Sequence, residues 1–199
     1  DVCSSDLGAM DEEVSILVDL MDIRETIKKA SLEFYKGILE GKNVVLVKCG
    51  IGKVNSALCA QILISEFKVD AIVNTGVAGA LNEKLDVNDI VISTDAIQYD
   101  VDTTAFGDPK GVIPRMKTSV FKADERLIDA AYKSSVEEVK THKVLKGRVV
   151  TGDKFINSKE LKEELVNDFG GYCGEMEGGA IAHVCYLNNT PFVIIRAMS

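Results

Sequence analysis

NVVLVKCGIGKVNSALCAQILISEFKVDAIVNTGVAGA, residues 43–80, decides the fold class of this chain. Val44 to Val47 is an unbroken apolar run inside the segment Asn43 to Cys49, which suits a strand covered on both faces rather than one with a solvated side. From Lys53 to Phe67, Val54, Leu58 and Ile62, with Ala57, Gln61 and Ile64 beside them, follow the spacing of a helix. Ala71 to Asn74 then reads as a second buried strand. A strand, a helix and a strand in this order form the unit from which parallel sheets are built.

Outward from this unit the alternation continues. Val14, Leu17, Val18 and Met21 give one apolar stripe to a first helix beginning near Asp11, whose acidic first turn suits the helix dipole. Arg24 to Lys28 and Leu32 to Leu39 are predicted strands, with Glu40-Gly41-Lys42 as a hairpin-like turn into the Asn43 strand. Further strands are predicted near Ile90 to Ser93, Ala96 to Tyr99, Val144 to Val150 and Pro191 to Arg196. Helices are predicted near Asp124 to Val139, Ser158 to Asp168 and Met176 to Leu187. The expected architecture is α/β, with a mixed, mainly parallel central sheet flanked by helices. Thr103 to Ser119, with Gly107, Pro109, Gly111 and Pro114, reads as a long surface loop suited to a lid or an oligomer contact.

A chain of 199 residues with 46% hydrophobic content is long enough for one sizeable core and short for two, so a single domain is expected. The net charge of −8 disfavours nucleic acid or an anionic membrane as the main partner and leaves a small ligand as the better fit. No run reaches the roughly eighteen apolar residues of a spanning helix, and no basic segment leads into an apolar one at the start, so the expected location is the cytoplasm. Cys3, Cys49, Cys59, Cys173 and Cys185 contain no C-x-x-C pair, and the histidines are His142 and His183 only; reduced thiols without a zinc site are expected.

The two ends read differently. Residues 1–7, Asp1-Val2-Cys3-Ser4-Ser5-Asp6-Leu7, are polar where an apolar strand is expected to feed the Gly8-Ala9-Met10 turn, and are read as a non-native segment ahead of a domain over 8–199. Pro191 to Arg196 is followed by three residues and no closing helix, so the domain is expected to lack its C-terminal end.

Chemistry is suggested where Gly174-Glu175-Met176-Glu177-Gly178-Gly179 sets two carboxylates around a methionine just before an apolar helix. A carboxylate is costly to bury unpaired, so two at a strand-to-helix junction imply a polar ligand or a helix start to serve. Three further segments stand out: Gly8-Ala9-Met10-Asp11-Glu12-Glu13, Asn74-Thr75-Gly76-Val77-Ala78-Gly79 and Thr151-Gly152-Asp153-Lys154-Phe155-Ile156. Strand ends in α/β folds open onto the crevice where ligands collect.

Together with Lys48 to Asn55 and Arg196-Ala197-Met198-Ser199, these segments closely resemble the 5'-methylthioadenosine/S-adenosylhomocysteine nucleosidases, from Gly8 to the last residue. The resemblance implies the nucleoside phosphorylase fold, a homodimer, and hydrolysis of an N-glycosidic bond that releases adenine without metal or organic cofactor. Such a reaction builds positive charge on the sugar and negative charge on the base, and needs a directed water.

The resemblance implies a role for each matching residue. Glu13 is expected as the general base that orients and deprotonates water, against a plain reading as a solvated first-turn carboxylate. Glu177 is expected to accept hydrogen bonds from both ribose hydroxyls, against the plain reading that it caps its own helix. Met176 is expected against the ribose, with Met10 adding apolar surface; otherwise both are core methionines. Phe155 is expected to stack on adenine and backbone groups of Ile156 to read its edge, where the alternative is a core phenylalanine. Gly79 is expected to admit close backbone approach. Arg196 is expected in a supporting, water-orienting or ribose-side role, the bland alternative being a surface ion pair. Glu175 receives no role, because strand alternation turns it away from Glu177.

Two positions depart from the pattern. Val77 stands where many relatives carry serine, and the family's proton donor to adenine is an aspartate that would follow Ser199 directly. Loss of a general acid typically removes a factor of roughly a hundred to ten thousand, so the 199-residue chain is expected to be nearly inert and its full-length parent active.

The competing readings are a phosphate-dependent nucleoside phosphorylase, a non-catalytic nucleoside-binding relative, and a dinucleotide-binding protein. Asp11, Glu12 and Glu13 would repel phosphate, and Gly50-Ile51-Gly52 lacks the last glycine of the dinucleotide fingerprint.

Overall fold

The computed structural model describes residues 3–8 and 10–199, apart from the side chains of residues 3, 4, 6, 7 and 11–13. In chain order the elements are β1 (Cys3–Gly8), α1 (Asp11–Leu20), β2 (Asp22–Lys29), β3 (Leu32–Leu39), β4 (Lys42–Lys48), α2 (Lys53–Ser65), β5 (Ala71–Ala80) and β6 (Ile90–Gln98). They continue with β7 (Val120–Lys122), α3 (Glu125–Glu138), β8 (Val144–Thr151), α4 (Lys159–Phe169), β9 (Gly171–Glu175), α5 (Gly178–Asn188) and β10 (Phe192–Met198). Among the described residues no helix is long and apolar enough to cross a membrane.

All the strands join one mixed sheet in the order β10-β6-β8-β9-β5-β1-β4-β3-β2, with β7 paired to β6. Because β10 also pairs with β5, the strands β5, β10, β6, β8 and β9 close into a ring, and β1 to β4 extend from it as an open wing. Pairing is parallel for β1 with β4 and β5, for β5 with β10, and for β8 with β6 and β9. The wing is finished by antiparallel hairpins, where positive φ at Ala30 and Ser31, and again at Glu40 and Gly41, gives the turn geometry that matches strand twist.

The apolar run in β4 behaves as its sequence requires. Val45, Leu46 and Val47 are fully buried, and β4 lies between β1 and β3. Helices α2 and α5 pack on each other and share a core with Cys59, Leu63, Ile181 and Ile194 at its centre.

Four boundaries differ from the sequence reading. The predicted strands at Ile90 to Ser93 and Ala96 to Tyr99 are one strand, β6, with a bulge between Ser93 and Asp95. The strand predicted to stop at Asn74 runs to Ala80, because β10 stays in register with it from Phe192 opposite Ile72 to Met198 opposite Ala78. The helix predicted from Met176 begins at Gly178. Cys3–Gly8, read as lacking the apolar character of a strand, pairs with both β4 and β5; Ser5 is buried and its hydroxyl donates to the Ala71 carbonyl at 3.3 Å.

Candidate active site

A cavity of about 430 Å³ lies beyond the C-terminal ends of β1, β5, β8, β9 and β10. Met10 contributes from the turn after β1, and Val77, Ala78 and Gly79 from the end of β5. Phe155 and Ile156 come from the segment after β8, and Glu175, Met176 and Glu177 from the junction between β9 and α5. The wall is mainly apolar, with carboxylates at one side, the composition expected of a site for a small ligand with both a ring and hydroxyl groups.

Glu175 and Glu177 divide the work at the junction. Glu175 Oε2 accepts from the backbone amides of Glu177 at 3.1 Å and Gly178 at 2.7 Å, so it caps α5 from ahead of the helix, two residues before the N-cap position. Its other oxygen accepts from the Thr151 hydroxyl, and Thr151 Oγ1 in turn accepts from the Gly179 amide at 2.7 Å. Glu177 makes no side-chain cap to its own helix. Instead, Glu177 Oε1 accepts from the Gly52 amide at the start of α2, at 2.8 Å. The plain reading of Glu177 as a cap for α5 therefore belongs to Glu175, and Glu177 is left to border the cavity.

Arg196 is behind this pair rather than on the cavity wall. Its Nη2 donates to Glu175 Oε2 at 2.6 Å and to Asn74 Oδ1 at 2.5 Å, and Nη1 donates to the Asn74 carbonyl at 3.2 Å. Arg196 and Glu175 side chains are each only 2% exposed, so the bland expectation of a surface ion pair does not hold. Burial alone would lower the guanidinium pKa; the adjacent Glu175, with a smaller contribution from Glu177, holds it above the ordinary value. Among the described residues, Arg196 Nε is a buried donor with no partner.

Phe155 is 78% exposed, which excludes the alternative of a core phenylalanine and leaves an aromatic face at the cavity rim. The segment carrying it is braced by the residue that follows β6: the Tyr99 hydroxyl donates to the Lys154 carbonyl at 3.3 Å, and the Tyr99 ring packs where a Cβ on Gly152 would sit. Burial, followed by Asp100 and Asp153 nearby, pushes the Tyr99 hydroxyl up to about 12, so it stays a donor. Ile156 reaches back to Gly174, where a Cβ would come within 2.2 Å of its Cδ1. At Gly79 the nearest obstacle to a Cβ is the Gly174 carbonyl, 3.9 Å away, so the missing side chain opens space in the cavity rather than relieving a clash.

One cavity thus brings together Met10, Gly79, Phe155, Ile156, Met176 and Glu177. Arg196 joins them only through Glu175. Glu13, the expected general base, falls in the first turn of α1, three residues after Met10, and its side chain lies outside the described residues. Glu175 is the residue that sequence reasoning passed over. Alternation along a strand fails at the last residue of β9, where the chain turns into α5, and the partners that bury Glu175 come from β8 and β10. Its sequence signal is an acid just ahead of a Gly-Gly helix start.

Among the described residues, Cys49, Cys59, Cys173 and Cys185 are buried and joined in no disulfide, and burial pushes the Cys173 and Cys185 thiols up to about 12, far from a reactive thiolate.

The chain matches the family model described as phosphorylase superfamily over residues 7–199. It is 45% identical to the 5'-methylthioadenosine/S-adenosylhomocysteine nucleosidase of Anoxybacillus flavithermus, over 97% of this chain and 83% of that protein. The nucleosidase of the same name from Neisseria meningitidis, solved in complex with methylthio-immucillin-A, superposes with a TM-score of 0.93 at 39% identity, covering 99% of this chain and 85% of that one. A Colwellia psychrerythraea nucleosidase solved with adenine gives a TM-score of 0.93 at 39% identity, over 100% of this chain and 82% of that one. The mixed sheet with its closed ring, the cavity at its strand ends and these likenesses agree: the chain belongs to the phosphorylase superfamily and, within it, to the 5'-methylthioadenosine/S-adenosylhomocysteine nucleosidases.

Proposed function

We propose that the protein hydrolyses the N-glycosidic bond of 5'-methylthioadenosine and S-adenosylhomocysteine, releasing adenine, with the cavity at the ends of β5, β8 and β9 as its active site. The observation that carries this reading is that an exposed aromatic ring, Phe155, and a carboxylate, Glu177, border one cavity at the level of a glycine, Gly79. A flat base against the ring sets the attached ribose toward Glu177.

In this reading Phe155 stacks on adenine, and the backbone of Ile156 reads the base edge. Glu177 accepts from the ribose hydroxyls through charge-assisted hydrogen bonds. As the bond to the base breaks, the sugar becomes cationic, and a carboxylate fixed beside it stabilises that state more than the ground state. Met10 and Met176 supply apolar surface against the ribose. Arg196 acts through Glu175, whose carboxylate fixes the backbone of Glu177. Glu13 is the general base that directs water and takes its proton, while the departing adenine takes up a proton, so that the free sugar and neutral adenine result; the position of Glu13 one turn after Met10 supports this role, since Met10 lines the cavity.

A homodimer working in the cytoplasm belongs to the same reading. Val54 and Leu58 are 79% and 46% exposed on one side of α2, and Ile51, 56% exposed, precedes that helix on the cavity wall. An apolar face of this kind suits a second copy of the chain. Sedimentation analysis checks the dimer, and a monomer at micromolar concentration contradicts it.

The reaction is tested by following adenine release from 5'-methylthioadenosine in phosphate-free buffer. Release at a rate unchanged by added phosphate supports hydrolysis; a rate that requires phosphate identifies a phosphorylase instead.

A further inference from the structure

Helix α2 starts without a side-chain cap of its own. Its N-cap is Gly52, with φ 96°, a left-handed value that favours glycine, and its first turn contains no acidic residue. Two carboxylates from far along the chain serve this helix end instead. The Gly52 amide donates to Glu177 Oε1 at 2.8 Å, and the next amide, Lys53, donates to Asp153 Oδ1 at 2.8 Å. A Cβ on Gly52 would sit 3.1 Å from that same Asp153 oxygen.

Asp153 is held from a second side. Asp100, just after β6, accepts from Lys53 Nζ through Oδ1 at 2.7 Å and from the Asp153 amide through Oδ2 at 2.9 Å. Side chains of Lys53 and Asp100 are 20% and 26% exposed, so the pair is partly shielded from water. Lys53, Asp100 and Asp153 therefore close a small circuit across the ends of α2, β6 and β8. Asp153 lies two residues before Phe155, and consecutive amides of one helix end hold the base-side segment and the ribose-side carboxylate.

We propose that this circuit is a latch, in which Asp153, Asp100 and Lys53 are positioning residues that set the Phe155 segment for the base and tie it to the Glu177 side of the cavity. The proposal deepens the nucleosidase reading and rests on it. A helix cap needed only for stability is ordinarily supplied by the residue at the helix start. Here it is supplied from the segment after β8 and from the β9–α5 junction, so the start of α2 fixes the separation of two ligand-bearing segments. The latch holds the loop before the ligand arrives, which lowers the ordering cost of binding.

The test is calorimetric binding of adenine to the parent chain and to Asp153→Ala, Asp153→Asn, Lys53→Met, Phe155→Ala and the double variant Asp153→Ala/Phe155→Ala, with thermal midpoints alongside. Loss of a charge-assisted hydrogen bond should weaken adenine binding about tenfold in Asp153→Ala. Asp153→Asn, which keeps an acceptor oxygen, should recover most of it, and Lys53→Met should weaken binding in the same direction. In the Phe155→Ala background, Asp153→Ala should add little, because its effect acts through the ring. Adenine binding weakened by Phe155→Ala but untouched by Asp153→Ala and Lys53→Met overturns the latch alone. An equal loss from Asp153→Ala in both backgrounds also overturns it. Adenine binding indifferent to Phe155→Ala overturns the base pocket, and the latch with it.

Discussion

Glu175 Oε2 and Arg196 Nη2 meet at 2.6 Å inside the protein, with both side chains almost completely withdrawn from water. The same Glu175 oxygen accepts the amides of Glu177 and Gly178 at the start of α5, so the buried pair and the helix that follows Glu177 form one structural unit. Removing one partner of a buried pair strands the other charge. Arg196→Met is expected to cost about 3–5 kcal/mol of stability by urea unfolding. Adding Glu175→Gln should restore a substantial part, since the amide oxygen can still cap α5 without a net charge; no recovery contradicts the pairing.

Gly79→Ala separates binding from folding. With 3.9 Å to the nearest atom, the added methyl fits the protein but enters the cavity. The thermal midpoint should stay near that of the parent while KM for the nucleoside rises roughly tenfold. Gly174→Ala, by contrast, drives a Cβ to 2.2 Å from Ile156 Cδ1, so both stability and KM should suffer. Equal effects of the two variants would show that Gly79 is structural.

Phe155→Ala should leave stability almost unchanged, because the ring is largely exposed. Stacking of an aromatic ring on a base is worth about 1–3 kcal/mol, so adenine affinity should fall by roughly fivefold to a hundredfold. A large fall in the thermal midpoint would place the ring in a packing role instead.

His183 gives the protein a pH dependence near neutrality. Its ring stacks on Phe121 at 4.8 Å and its Nδ1 is 3.2 Å from the Gln98 amide nitrogen, which makes Nδ1 the acceptor. Burial lowers its pKa from 6.5, so the folded state prefers the neutral ring. A depressed folded pKa means that the stabilisation is complete above 6.5 and fades as pH falls from there toward the folded value. Thermal midpoints measured from pH 7.5 to 5 should decline below about 6.5 in the parent and decline less in His183→Gln; parallel curves contradict the assignment.

Much of this molecule is legible in its sequence because its strands are apolar runs and its helices are periodic. Val44 to Val47 announces a buried strand, and the stripe of Val14, Leu17 and Val18 announces α1. The reading fails where pairing overrides local pattern. Thr94 and Asp95 break the apolar character of β6, yet Asp95 is satisfied by Arg148 at 2.6 Å beside a bulge and the strand continues. Thr75 to Gly79 resembles a turn, but β10 runs beside it and keeps it extended. At the site, Phe155, Glu177 and Gly79 are recognisable by motif, and the structure gathers them at one cavity. Glu175 is not, because its buried partners are reached through space from Thr151 and Arg196.

Phe155 and Glu177 are expected to hold the two halves of one nucleoside. A crystal structure with 5'-methylthioadenosine or an unreactive analogue bound measures this directly. Adenine should stack on the Phe155 ring, and both ribose hydroxyls should lie within about 2.5–2.8 Å of Glu177 carboxylate oxygens. A nucleoside seated in another cavity, or a ribose turned away from Glu177, would contradict it.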